Sequence, residues 1–142
     1  MTTRLPTAAE INVFDSLDER SALRHFLGKD LDQAYELLRE NFLYYQEDLF
    51  WMGPIALRFY VPAAIRYLLS DEADHDAGAV AAFCGILEFR LEHEPAALQP
   101  IAPLLRGAID QVLNRLERYG ADLAMYGDLA GRYRDVLERL QV

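Results

Sequence analysis

Cysteine is almost missing from this chain: Cys84 is the only one in 142 residues. No internal disulfide can form, and no paired-cysteine redox or zinc motif exists. Positive charge is also short, with 14 Lys and Arg against 23 Asp and Glu for a net charge of −9. Such a field repels phosphate backbones, so nucleic acid is excluded as a partner. Lysine occurs only as Lys29. The preference for arginine, with frequent alanine, fits a GC-rich bacterial genome.

Long apolar runs are absent too. A membrane helix requires roughly eighteen uninterrupted apolar residues, and Arg58 and Arg66 interrupt the most apolar stretch. No membrane partner is expected. The opening Met1-Thr2-Thr3-Arg4-Leu5-Pro6 has no apolar core followed by a small-residue cleavage site, so the expectation is a cytoplasmic protein. No segment shows the two-residue alternation or β-branched enrichment of a strand. There is no phosphate-binding glycine loop and no nucleophile elbow, and His25, His75 and His93 are scattered. Enzyme chemistry has little to stand on, and no cofactor is implied.

What is present is helical. Composition is 52% hydrophobic and 26% charged, a globular profile of one-domain size, so residues 1–142 are read as a single helical domain. The stretch 31–69 is the centre of that reading. Leu31, Ala34, Tyr35, Leu38, Phe42, Tyr45, Leu49 and Met52 recur at steps of three and four, which predicts one helix with a single apolar stripe. Asp30 and Gln33 have capping-box spacing at its start. Gly53 is expected to end it in the left-handed conformation, and Pro54 to open a second, more apolar arm running from Ile55 to Leu69. The two arms would form an αα-hairpin. Arg58 and Arg66 would lie inside it on either side of Pro62, requiring acidic partners, for which Asp48 and Glu88 are the candidates.

Around the hairpin, Thr7 with Glu10 and Ser16 with Glu19 mark two short helices whose inner faces would be Ile11-Phe14 and Leu23-Phe26-Leu27, the second ending at Gly28. A helix from Asp76 to His93 carries two apolar stripes and a narrow polar band of Gly85, Glu88 and Glu92. Another runs from Ile101 towards Gly120, and a last one from Asp128 to Leu140. The fold class is all-α: a compact helical bundle of roughly six or seven helices, with boundaries uncertain by a few residues.

Three patterns bear on function. Asp71-Glu72-Ala73-Asp74-His75-Asp76 holds one Glu-x-x-His pair, whereas a di-iron bundle needs two such pairs and two more glutamates; no metal is assigned. Glu88 and Glu92, one turn apart in an acidic segment with seven acids between residues 71 and 94, repel each other unless a cation lies opposite. That cation is either internal or supplied by a partner. Finally, Asn41, Tyr44, Asp48 and Trp51 form a ridge beside the core stripe, the mixture of polar and large aromatic groups that a binding face uses. The corresponding structural reading places Tyr44 and Trp51 in the core and ties Asp48 to an arginine. Glu47, Asp48 and Glu88 are the only candidates for an acid or base in an aromatic pocket, and no catalytic residue is assigned.

Phe26-Leu27-Gly28-Lys29, Tyr44 to Gly53 and Phe59-Tyr60-Val61-Pro62-Ala63-Ala64 together resemble a group of small uncharacterised bacterial all-helical proteins. The resemblance spans the middle half of the chain and carries no site residues. It implies an immunity-type protein that blocks a toxin. The expected function is thus an acidic interaction module for a basic protein partner, using the ridge or the acidic segment. The alternative is a small-molecule binder or enzyme with a pocket between the hairpin arms, and a homodimer through the aromatic ridge is a third arrangement.

Overall fold

The computed structural model describes residues 4–120 and 125–140. Among the described residues there are eight α-helices and no strand. They fall into two compact units that divide between Ala64 and Ile65.

The first unit opens with α1 (Ala8–Ile11), α2 (Leu17–Phe26) and α3 (Leu31–Glu40). All three begin at the expected capping boxes: Thr7 with Glu10, Ser16 with Glu19 and Asp30 with Gln33. In each, two otherwise unsatisfied N–H groups are paired reciprocally by side chains. Ile11, Ala22, Phe26, Ala34, Leu38, Phe42, Leu49 and Met52 are buried among them. Tyr60 shares its hydroxyl proton between the carbonyls of Phe26 and Lys29, each at 2.8 Å, closing the end of α2 where Gly28 takes φ +80°.

The long first arm expected over 31–52 is not one helix. Asn41, at φ −159° and ψ 85°, ends α3 and starts α4 (Phe42–Trp51), where its side chain accepts from the Tyr44 N–H. Asparagine offers the backbone a local partner that competes with the helical bond. This break lets α4 change direction, and it accounts for the eighth helix.

Gly53 also differs from expectation. It is not left-handed. A Cβ there would lie 2.2 Å from the Glu10 carbonyl oxygen and 2.6 Å from a Val13 methyl, while the Gly53 N–H donates to the Ile11 carbonyl at 3.0 Å. The absence of a side chain lets the end of α1 press against this turn. After it, α5 (Pro54–Leu68) runs without interruption through Pro62 and across the division between the units. Arg58 is half-buried and Arg66 exposed rather than enclosed, because long stems let guanidinium groups reach water from an apolar helix.

The second unit is built on α6 (Ala77–His93), α7 (Ala102–Asn114) and α8 (Leu129–Arg139), with α8 packed on both others. Both stripes of α6 are used: Val80, Phe83, Cys84, Leu87 and Leu91 are buried, as are Ala79 and Ile86. The helix expected to reach Gly120 stops at Asn114 and tightens into a 3-10 turn over Leu116–Tyr119. Polar groups reach the ends of elements from a distance. Tyr133 donates to the Val80 carbonyl and Tyr119 to that of Leu68, while Arg106 closes the end of α8 on the Leu137 and Leu140 carbonyls at 3.1 and 3.0 Å.

Candidate interaction site

Within the first unit, α2 and α4 pack as an antiparallel pair. The direction follows from Ser21 and His25, one turn apart on α2: both reach Asp48, and the His25 ring lies beside Tyr44 and Tyr45, one turn earlier on α4. Ser21 Oγ donates to Asp48 Oδ1 at 2.9 Å, and His25 Nδ1 is 2.6 Å from Oδ2. Asp48 is only 3% exposed. Burial pushes its carboxyl above the ordinary aspartate range, against smaller opposing effects from His25 and Ser21. A buried carboxylate is tolerable when its oxygens are bonded, and here both are.

The His25 ring is flanked by Tyr45 edge-on, at a centroid distance of 5.2 Å, and by Tyr44, tilted, at 5.6 Å. The Ser21 hydroxyl sits on the carboxylate rather than on the imidazole, so the three residues do not form a nucleophile relay. Their job in the fold is to lock two helices together beneath an aromatic surface.

At the other end of the pair the surface turns apolar. Phe14 is 85% exposed and Leu17 80%, the most open large apolar side chains among the described residues of this unit. Leu17 lies one turn before Ser21, so the antiparallel direction sets it level with the turn after Asp48, which carries Trp51 and Met52. Trp51 is 40% and Tyr44 56% exposed. Leu17, Tyr44 and Trp51 each lie within one turn of the Ser21–Asp48 pair along their own helix.

The exposed tip stands on a buried acid. Glu19 is 4% exposed. Its Oε1 accepts from the Val13 and Phe14 N–H groups at 2.6 and 2.9 Å, and its Oε2 from the Ser16 N–H and hydroxyl at 3.3 and 2.8 Å. Burial pushes this carboxyl up, but the bonds from Phe14, Ser16 and Val13 together outweigh it and hold the group below the ordinary glutamate range. Asp15 in the same turn has φ +58°. One carboxylate thus fixes the turn that presents Phe14.

No family model, curated protein or solved structure matches this chain.

The eight residues singled out from the sequence are divided between the two units. Asn41, Tyr44, Asp48 and Trp51 do share α4, but Asn41 is spent as a helix cap and Asp48 on Ser21 and His25. Arg58 lies on α5, and Arg66, Glu88 and Glu92 belong to the second unit. There Glu88 receives a bidentate pair from Arg132, at 3.0 and 2.5 Å, and Glu92 faces Arg139 at 3.8 Å. The cations opposite those two glutamates are internal and come from α8.

The rest of the acidic segment is similarly occupied. Asp71 and Asp74 hold Arg118, Asp76 caps α6 and accepts from Tyr67, and Glu94 pairs with Arg90. Cys84 is fully buried, and burial pushes its thiol up to about 12, leaving it inert.

Sequence reading missed His25, Ser21 and Leu17, and it assigned Phe14 to an inner face that does not exist. The i, i+4 spacing of Ser21 and His25 was the available signal on α2; nothing local connects them to Asp48. Helix α1 stops at Ile11, so the three-residue step to Phe14 has no helix to carry it inward.

Proposed function

We propose that this protein is an interaction module that docks a protein partner on the α2–α4 face of its first unit. The observation that carries the reading is the exposure of Phe14, Leu17, Tyr44 and Trp51, at 85, 80, 56 and 40%, on elements fixed by two fully bonded buried carboxylates. Large apolar and aromatic groups held rigidly at a surface lose little entropy on docking, and such groups dominate binding energy. The resemblance to small bacterial helical proteins makes a toxin-blocking, immunity-type role the biological form of this reading. A cytoplasmic setting agrees with it.

The test is capture from cell extract with the immobilised wild type and, in parallel, a Phe14→Ser/Leu17→Ser double variant with matching circular dichroism. The expected result is a protein retained by the wild type and lost by the variant. Equal retention by both, or no specific retention, overturns the proposal.

A further inference from the structure

The charges around this face define the kind of partner it fits. In the first unit, Glu10 is paired with Arg4, Asp15 with Arg20 and Glu36 with Arg39. Glu19, Asp30 and Asp48 are spent on the local bonds and caps already described. Asp18, Glu40 and Glu47 are exposed and have no cation within ion-pairing distance among the described residues, against one exposed cation of α2, Arg24, that has no acid within that distance. Asp18 follows Leu17 directly. Glu47 lies on α4 three residues after Tyr44 and four before Trp51, hence on the same exposed ridge. In the second unit, acids before, on and after α6 face Arg118, Arg132, Arg139 and Arg90.

From this we infer that the occupant of the α2–α4 face is a cationic amphipathic helix of a partner protein. Its apolar side would rest on Phe14, Leu17 and Trp51, and its lysine or arginine side chains on Asp18 and Glu47. This deepens the proposed function and rests on it. A helix is favoured because two adjacent helices present ridges and a groove into which a third can pack. An extended segment would need a strand edge to join, and no strand exists among the described residues. A second copy of the same chain would set Asp18 and Glu47 against like charges, in molecules that already carry −9 each. Opposite charges at the rim steer encounter and reject wrong partners, while the apolar anchors supply most of the affinity.

Trp51 is the only tryptophan, so its emission reports on the face directly. The probes are a Leu/Lys amphipathic helical peptide and its charge-reversed Leu/Glu counterpart, titrated against the full chain. The Leu/Lys peptide should shift Trp51 emission to the blue and the Leu/Glu peptide should not. Asp18→Asn/Glu47→Gln and Phe14→Ser/Leu17→Ser should each weaken binding roughly tenfold or more. Glu92→Gln, in the other unit, should leave it unchanged. If Glu92→Gln weakens binding as much as the Asp18/Glu47 pair, attraction is only general and the inference fails. Equal binding of both peptides, or a wild-type dimer in sedimentation that the Phe14/Leu17 variant abolishes, also overturns it. A captured protein lost with Phe14→Ser/Leu17→Ser but retained by Asp18→Asn/Glu47→Gln would sink this inference while leaving the proposed function standing.

Discussion

Two buried carboxyl groups in the first unit are shifted in opposite directions, because bonding outweighs burial in one and not in the other, and acid titration should separate them. Glu19 is held below its ordinary range, so it stabilises the fold above that range and the contribution is lost as pH falls through its lowered value. Asp48 is held above its ordinary range, so it costs stability once pH exceeds the unfolded aspartate value, and that cost disappears in acid. Glu19→Gln should therefore lose about 2–3 kcal/mol at pH 7, since it trades charge-assisted bonds for a poorly matched amide. It should also flatten the fall in stability towards pH 4. Asp48→Asn can still accept from Ser21 and can donate to His25, and should stay within about 1 kcal/mol of wild type at pH 7. Urea unfolding of both variants at several pH values is the measurement, and a larger loss for Asp48→Asn than for Glu19→Gln would reverse the assignment.

Individual elements depend on glycine for two different reasons. Gly53→Ala forces a methyl group into the Glu10 carbonyl and should cost more than about 2 kcal/mol by overpacking. At Gly28, φ is +80° with open space around the position, so Gly28→Ala should cost only about 1 kcal/mol of backbone strain. Thermal and urea midpoints of the two variants test this order. Sequence alone carried the three capping boxes, the stop at Gly28 and the two-sided burial of α6, because each is written within a few neighbouring residues. It did not carry the break at Asn41, where no glycine or proline stands and a side-chain cap competes with a continuous apolar stripe. Nor did it carry the reason for Gly53, which is the approach of a carbonyl 43 positions earlier in the chain. Asp48 was singled out as a binding residue or as an arginine's partner, but the groups bonded to it, Ser21 and His25, lie 27 and 23 residues away, beyond the reach of any spacing rule. The arginines opposite Glu88 and Glu92 were invisible for the same reason.

Among the described residues of the whole molecule, acids differ in whether an arginine answers them. The acids near α6 are matched by arginines, whereas the apolar face of the first unit keeps Asp18 and Glu47 unmatched. Each unit also holds its own native reporter, the single Trp51 in the first and the single Cys84 in the second. Cys84, with its thiol pushed up to about 12, should resist thiol reagents until its surroundings open. Across a urea series, Trp51 emission and Cys84 labelling should change together, because α5 contributes residues to both units. Separate midpoints would show that they unfold independently. The same helix sets a limit on dissecting the protein genetically. A reading frame split between codons 64 and 65 would leave eleven residues of a turn-bounded rod on one fragment and four on the other. Neither stub could wind on its own, so binding assays on truncated halves would measure the damage of the cut rather than the property of either half.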